Sequence, residues 1–142
     1  MSIPFDISGA NAASLNFSLQ GFLDRAPDLT VRQSLDLMRP HMPDLNPSDF
    51  DSLLVANLWE VEQIHIACLD DVELKLAARI YTVDQPYAVY RKLNPPFLDK
   101  ARSPALLEPY APYAKLLLRA THALMKQPQY AYEGPGYRLP RF

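Results

Sequence analysis

Cys68 follows His65 by three residues, a spacing that on a helix sets a thiol beside an imidazole. The chemistry of such a pair is nucleophilic attack by a thiolate. No glycine-rich turn or helix N-terminus is placed to lower this thiol's pKa, so the sequence points to a structural cysteine. His41, His65 and His122 lie far apart, and none joins an Asp, Glu or Cys in a metal-ligand spacing, so no metal site is expected. Glu60 and Glu62, separated by one residue, would share one face of a strand. On a helix they diverge by about 200° and read as a solvated face. The four glycines form neither GxGxxG nor GxxxxGK[ST], which excludes Rossmann and P-loop nucleotide binding. No catalytic residue is assigned on these grounds.

Lys115, Arg119, His122 and Lys126 fall at i, i+4, i+7 and i+11, one stripe on a helix. Lys115, Arg119 and Lys126 are therefore candidates for binding an anion or a partner. The alternative is solvation, or docking onto acids elsewhere in the chain. Charge makes that alternative concrete. Residues 1 to 73 hold twelve acids and three bases, a balance of −9, whereas residues 74 to 142 hold four acids and eleven bases, a balance of +7. Either the two halves pack and their fields largely cancel, or the basic half serves an anionic ligand such as a nucleotide, a phosphoprotein or nucleic acid. All eight tyrosines lie at or after Tyr81, and the one tryptophan, Trp59, lies before it.

The elements that must position these residues are framed by proline. At 142 residues, 49% apolar and 21% charged, the chain is the size of one domain with a core large enough to need no staple. Proline suits a first helical turn and breaks an interior, so the fourteen prolines mark helix starts and stops. Residues 1–27 read as an N-terminal segment, flexible or with a short helix through Leu15, Leu19, Phe22 and Leu23. Residues 28–142 read as the helical domain. A helix from about Asp28 to Arg39 carries Leu29, Leu35 and Met38 and closes at Pro40, followed by an extended loop through Pro47. Ser48 is read as the cap of the next helix, whose stripe is Phe50, Leu53, Leu54, Leu58, Val61 and Ile64. Another runs from about Asp71 to Tyr81 with Leu74, Ala77, Ala78 and Tyr81 in register. Pro86 is read as opening a helix that ends at Asn94-Pro95-Pro96, and Ser103-Pro104 as starting a short one. Pro112 begins a late helix with Tyr113, Leu116, Leu117, Ala120 and Leu124 on one side, stopped at Pro128. Only Tyr130 to Tyr132 and the following Gly134-Pro135-Gly136 look β-like. The expected fold is mainly α: a compact multi-helix unit with a short C-terminal strand or extended tail.

From Glu73 onward the order of features resembles the amino-terminal part of arginine-specific mono-ADP-ribosyltransferases. Ala78-Arg79-Ile80-Tyr81-Thr82 is similar to that family's "AI..YT" helix end, and Tyr90-Arg91-Lys92-Leu93-Asn94 to its "Y..LN" element. Tyr110 to Leu124 resembles the helix with a "Y...LL.AL" pattern, and Pro128 to Arg138 resembles the "P.Y.G..YRG" approach to the first core strand. Roughly half the chain is covered. The resemblance implies that Arg138 helps hold the phosphates of NAD, a role suited to a planar guanidinium. Leu139 stands where the family usually has glycine, which crowds the backbone beside the pyrophosphate. Setting Tyr132-Glu133-Gly134 against the same pattern would put an acid there, which favours the Arg138 register.

The family's catalytic signature continues with a Ser-centred strand and a Glu-x-Glu loop, and neither has a counterpart in these residues. ADP-ribosyl transfer passes through a cationic, oxocarbenium-like sugar that the family's glutamate stabilises. The resemblance therefore implies a truncated or partial transferase domain, inactive alone, with NAD a substrate of the completed enzyme and no tightly bound cofactor. A complementing chain would supply the missing parts. Two other readings come from different classes: a non-enzymatic helical protein-interaction module, and an accessory RNA-binding protein using the basic half. Nucleic acid is the weaker expectation of the two. One cysteine rules out an internal disulfide, no run approaches the roughly 20 apolar residues that span a bilayer, and MSIPFDISGA lacks the features of a signal peptide. A cytoplasmic, membrane-free location is the expectation.

Overall fold

The computed structural model describes residues 18–66, 68–99 and 103–126, and among them all regular structure is helical. Helix α1 spans Leu19–Arg25, α2 Val31–Met38, α3 Pro47–Glu62, α4 Val72–Thr82, α5 Tyr90–Leu98, α6 Pro104–Leu107 and α7 Ala111–Leu124. Single 3₁₀ turns at Arg39–His41 and Glu108–Tyr110 run into or out of their neighbours. The mainly helical expectation holds. The last helix ends at Leu124, short of the expected stop at Pro128, and Lys126 falls in the turn beyond it; Leu15 and the β-like C-terminal segment lie outside the described residues.

Side-chain caps start five of the seven α-helices among the described residues, all but α5 and α7. Ser18 accepts from the Gly21 N–H, and Thr30 and Gln33 form a reciprocal capping box on α2, so this helix begins at Val31 and not near Asp28. On α3 the cap is Asn46 rather than Ser48: its Oδ1 accepts from the Asp49 N–H at 2.8 Å. Pro47, which has no N–H to satisfy, then fills the first helical position. Asp71 caps α4 by accepting from Glu73 and Leu74, and Ser103 caps α6 by accepting from Leu106.

Three further boundaries differ from the sequence reading. Pro40 does not open an extended loop but sits early in the 3₁₀ turn, where a missing N–H costs little. α3 ends at Glu62, so Ile64, His65 and Cys68 lie in the connection to α4. α5 begins at Tyr90, after a cis Gln85–Pro86 bond, and continues through Pro95 and Pro96 to Leu98. Two prolines there deprive the Arg91 and Lys92 carbonyls of helical donors, but these residues are not buried, whereas Leu93 and Phe97, one turn apart, are 0% and 1% exposed. Burial of that pair outweighs the local cost, since each side chain contributes about 1.5–3 kcal/mol.

α4 is the hub, packed between α3 and α7, and α1 and α2 lie against α7. Its inward residues Ala77, Ile80 and Tyr81 meet Leu53 and Val61 of α3 and Tyr113, Leu116 and Leu117 of α7 in one cluster that also takes Leu19, Leu23, Leu35 and Met38. Alanines at 77, 78, 114 and 120 are fully or almost fully buried, which lets α4 and α7 approach closely. A smaller cluster of Ile66, Leu69, Ala78, Ala120 and Leu124 seals the far end, with Cys68 packed against it. Among the described residues no helix is long and apolar enough to cross a membrane.

Candidate functional site

Two hydrogen bonds tie α4 to α5 and to α7. The Tyr81 hydroxyl, at the end of α4, donates to Asn94 Oδ1 on α5 at 2.9 Å. The fully buried Tyr113 of α7 donates to the Ala77 carbonyl at 2.6 Å, 36 residues earlier in the chain. Tyr90 sets its ring edge-on to Tyr81 with centroids 6.2 Å apart. Burial is the main reason that both phenols are pushed above their ordinary value; for Tyr113 the neighbouring Tyr81 adds to it, and for Tyr81 the bond to Asn94 works against it. Both hydroxyls are therefore neutral donors between helices, Tyr113 to a buried carbonyl and Tyr81 to a half-buried amide.

Beside this junction lies an open polar cleft of about 250 Å³, lined by Asp44, Asp84, Gln85, Tyr87, Arg91 and Lys92 among others. The Tyr87 hydroxyl donates to Asp44 at 2.7 Å, and Lys92 stands 3.8 Å from the same carboxylate. Asp84 receives the Tyr90 hydroxyl at 2.5 Å. The Arg91 guanidinium lies 5.8 Å from the Tyr90 ring centroid, and its Nε–H donates to the Tyr90 hydroxyl oxygen at 3.4 Å. The Tyr87 bond holds the Asp44 carboxyl below its usual range, and burial followed by that same bond pushes the Tyr87 phenol up. Each of the two carboxylates here is met by a phenol. The sequence reading missed this cleft because Asp44 lies in a loop and reaches Tyr87 only across 43 positions.

The basic stripe of α7 divides. The Lys115 ammonium donates to the carbonyls of Asp24 and Ala26 at 3.0 and 2.9 Å and stands 2.9 Å from Asp28. It thus closes the C-terminal end of α1, where a cation also complements the helix dipole. Arg119 stands 3.6 Å from Asp28 with more than half its side chain exposed. His122 and Lys126 face solvent. The hydrogen bond and charge of Lys115 hold the Asp28 carboxyl below its ordinary value. Docking onto the acidic half is thus what the structure gives for Lys115 and Arg119. Arg138 lies outside the described residues.

His65 and Cys68 do not share a helix face, because α3 stops before them; His65 is exposed and Cys68 half-buried. Glu60 and Glu62 are both exposed. Among the described residues no group of three or more His, Cys, Asp or Glu side chains is placed to hold a metal ion. Compared with protein-family models, with curated proteins and with solved structures, the chain finds no significant match in any of the three.

Proposed function

We propose that these residues are the helical amino-terminal lobe of an ADP-ribosyltransferase-like protein, a part that frames an NAD site and leaves transfer to elements supplied from elsewhere. One observation carries the reading: the segments similar to "AI..YT" and "Y..LN" are bonded to each other through Tyr81 and Asn94, and the "Y...LL.AL" helix reaches the residue just before the first of them through Tyr113 and the Ala77 carbonyl. Residues that satisfy each other's polar groups between helices have a physical reason to occur together, and this supports the reading. In this reading Arg138 is the guanidinium that meets the NAD phosphates.

The chemistry then sets what the chain does alone. The sugar cation needs a nearby anion, which the family draws from its Glu-x-Glu loop, and these residues hold no counterpart of that loop. With NAD and a guanidino acceptor, the purified chain is expected to give no ADP-ribosyl product. A fragment that brings a Ser-centred strand and a Glu-x-Glu loop, added in trans, is expected to restore labelling, and Arg138→Ala to abolish it. Labelling by the chain alone would overturn the non-catalytic part of the proposal. Equilibrium titration that finds no NAD binding in the reconstituted mixture would overturn the NAD part.

A further inference from the structure

The outer face of α3 is a feature that the NAD reading leaves unused. Val55 and Trp59, one turn apart, are 66% and 62% exposed, while Leu53, Leu54 and Val61 of the same helix are buried. Asp51, Val55, Trp59 and Glu62 fall at i, i+4, i+8 and i+11, so an apolar pair lies between two acids on one stripe. The charged residues of α3 are Asp49, Asp51, Glu60 and Glu62; the helix has no lysine or arginine. Arg32, the cation 3.7 Å from Asp51, leaves that carboxylate largely in solvent. Glu60 and Glu62 occupy the last turn, where the helix dipole disfavours carboxylates, so they do not serve the helix's own stability.

We infer that this face docks a basic amphipathic helix of a partner protein, one that presents aliphatic or aromatic residues at i, i+4 flanked by lysine or arginine. Charge complementarity selects that occupant. Nucleic acid or an anionic lipid surface meets repulsion from the carboxylates, and a second copy sets the same acids against each other. The indole supplies a large contact area and a face for a cation, the combination found at the centres of binding interfaces.

Trp59 is the chain's one tryptophan, so its emission reports on this face directly. The probe is a synthetic leucine/lysine amphipathic helix about five turns long, titrated into the full chain. The expected result is a saturable blue shift that the leucine/glutamate helix of equal length does not produce. Asp51→Asn with Glu62→Lys is expected to weaken binding roughly tenfold, and Val55→Ser by a comparable factor, with unchanged circular dichroism. No shift, an equal shift with the acidic helix, or affinity indifferent to the charge changes would each overturn the assignment. So would free-chain emission already blue and constant on dilution, which assigns the face to a segment of the same chain. Emission that moves with protein concentration assigns it to a second copy, and a shift with phosphatidylserine vesicles but not the peptide assigns it to a membrane; both overturn it too.

Discussion

Acids of the first half meet two different fates. Asp28 and Asp44 receive donors from the second half, Lys115 with Arg119 in one case and Tyr87 with Lys92 in the other. Glu73 is used within the fold as well, accepting from the Val31 N–H at 2.7 Å and so closing the N-terminal end of α2. Along α3, by contrast, Glu60 and Glu62 face outward beside an exposed indole. A balance of −9 against +7 is therefore a folding device along the inner seam and a surface property along the outer face. Net charge alone does not separate the two; the partners do.

The sharpest way to break that contrast is to cut one side chain from each region. Leu117, fully buried where α7 meets α4, is expected to cost about 2–5 kcal/mol when changed to alanine, from lost burial plus the cavity left behind. Val55→Ser on the outer face is expected to stay within about 0.5 kcal/mol of the parent. Denaturant unfolding of the two variants measures both; a large loss from Val55→Ser would mean that the outer face is part of the fold.

Next in size is the pH dependence. Tyr81 and Tyr113 keep their protons in the folded chain at pH values where the unfolded chain releases them, near 10 and above. Their contribution is complete below pH 10 and is lost as pH rises through the folded values. Tyr87 and Tyr110, also raised, add to this alkaline limb, and Tyr113→Phe should make it shallower. Asp28 and Asp44 act in the opposite direction. Their folded values lie below 3.8, so their contribution is present above that value and is lost as pH falls through the folded values. Thermal unfolding followed from pH 3 to pH 11 checks both limbs.

Lys115→Met tests the inner seam by itself. It leaves the Asp24 and Ala26 carbonyls without their donor and is expected to cost about 1–2 kcal/mol. The part of the acid limb that belongs to Asp28 should shrink with it, leaving what Arg119 supplies, while the alkaline limb stays. An unchanged acid limb would show that Lys115 and Asp28 are not coupled in solution.

The helices were legible where a cap, a proline and a 3.6-residue stripe agreed, as at Asp71 to Tyr81 and at Ser103-Pro104. They were misread where tertiary burial overrode a local rule. Pro95 and Pro96 look like a stop, yet α5 runs through them because Leu93 and Phe97 are both drawn into the core. Of the candidate site residues, the stripe from Lys115 to Lys126 was readable as a stripe, but its division into a docked end and a solvated end depends on Asp28, some 90 positions away. The same holds for Asp44 with Tyr87. Pairings across such separations leave no periodic trace in a single sequence. The bond from Tyr81 to Asn94, between two helices, leaves no periodic trace either.

The smallest effect concerns the one polar atom on the inner side that lacks an answer among the described residues. Ser34 of α2 is fully buried and its hydroxyl has no hydrogen-bond partner, whereas Asn57 donates to the Leu53 carbonyl and accepts from Arg79, and Thr121 donates to the Leu117 carbonyl. An unanswered buried hydroxyl costs about 1–3 kcal/mol, and alanine is the better helix former by a few tenths. Against this stands the lost packing of a single oxygen, a smaller quantity. Ser34→Ala is therefore expected to stabilise the chain by about 1 kcal/mol, raising the denaturation midpoint with an unchanged slope. A loss of stability instead would mean that the hydroxyl has a partner in solution, and the inner seam would then be matched at every buried polar side chain described.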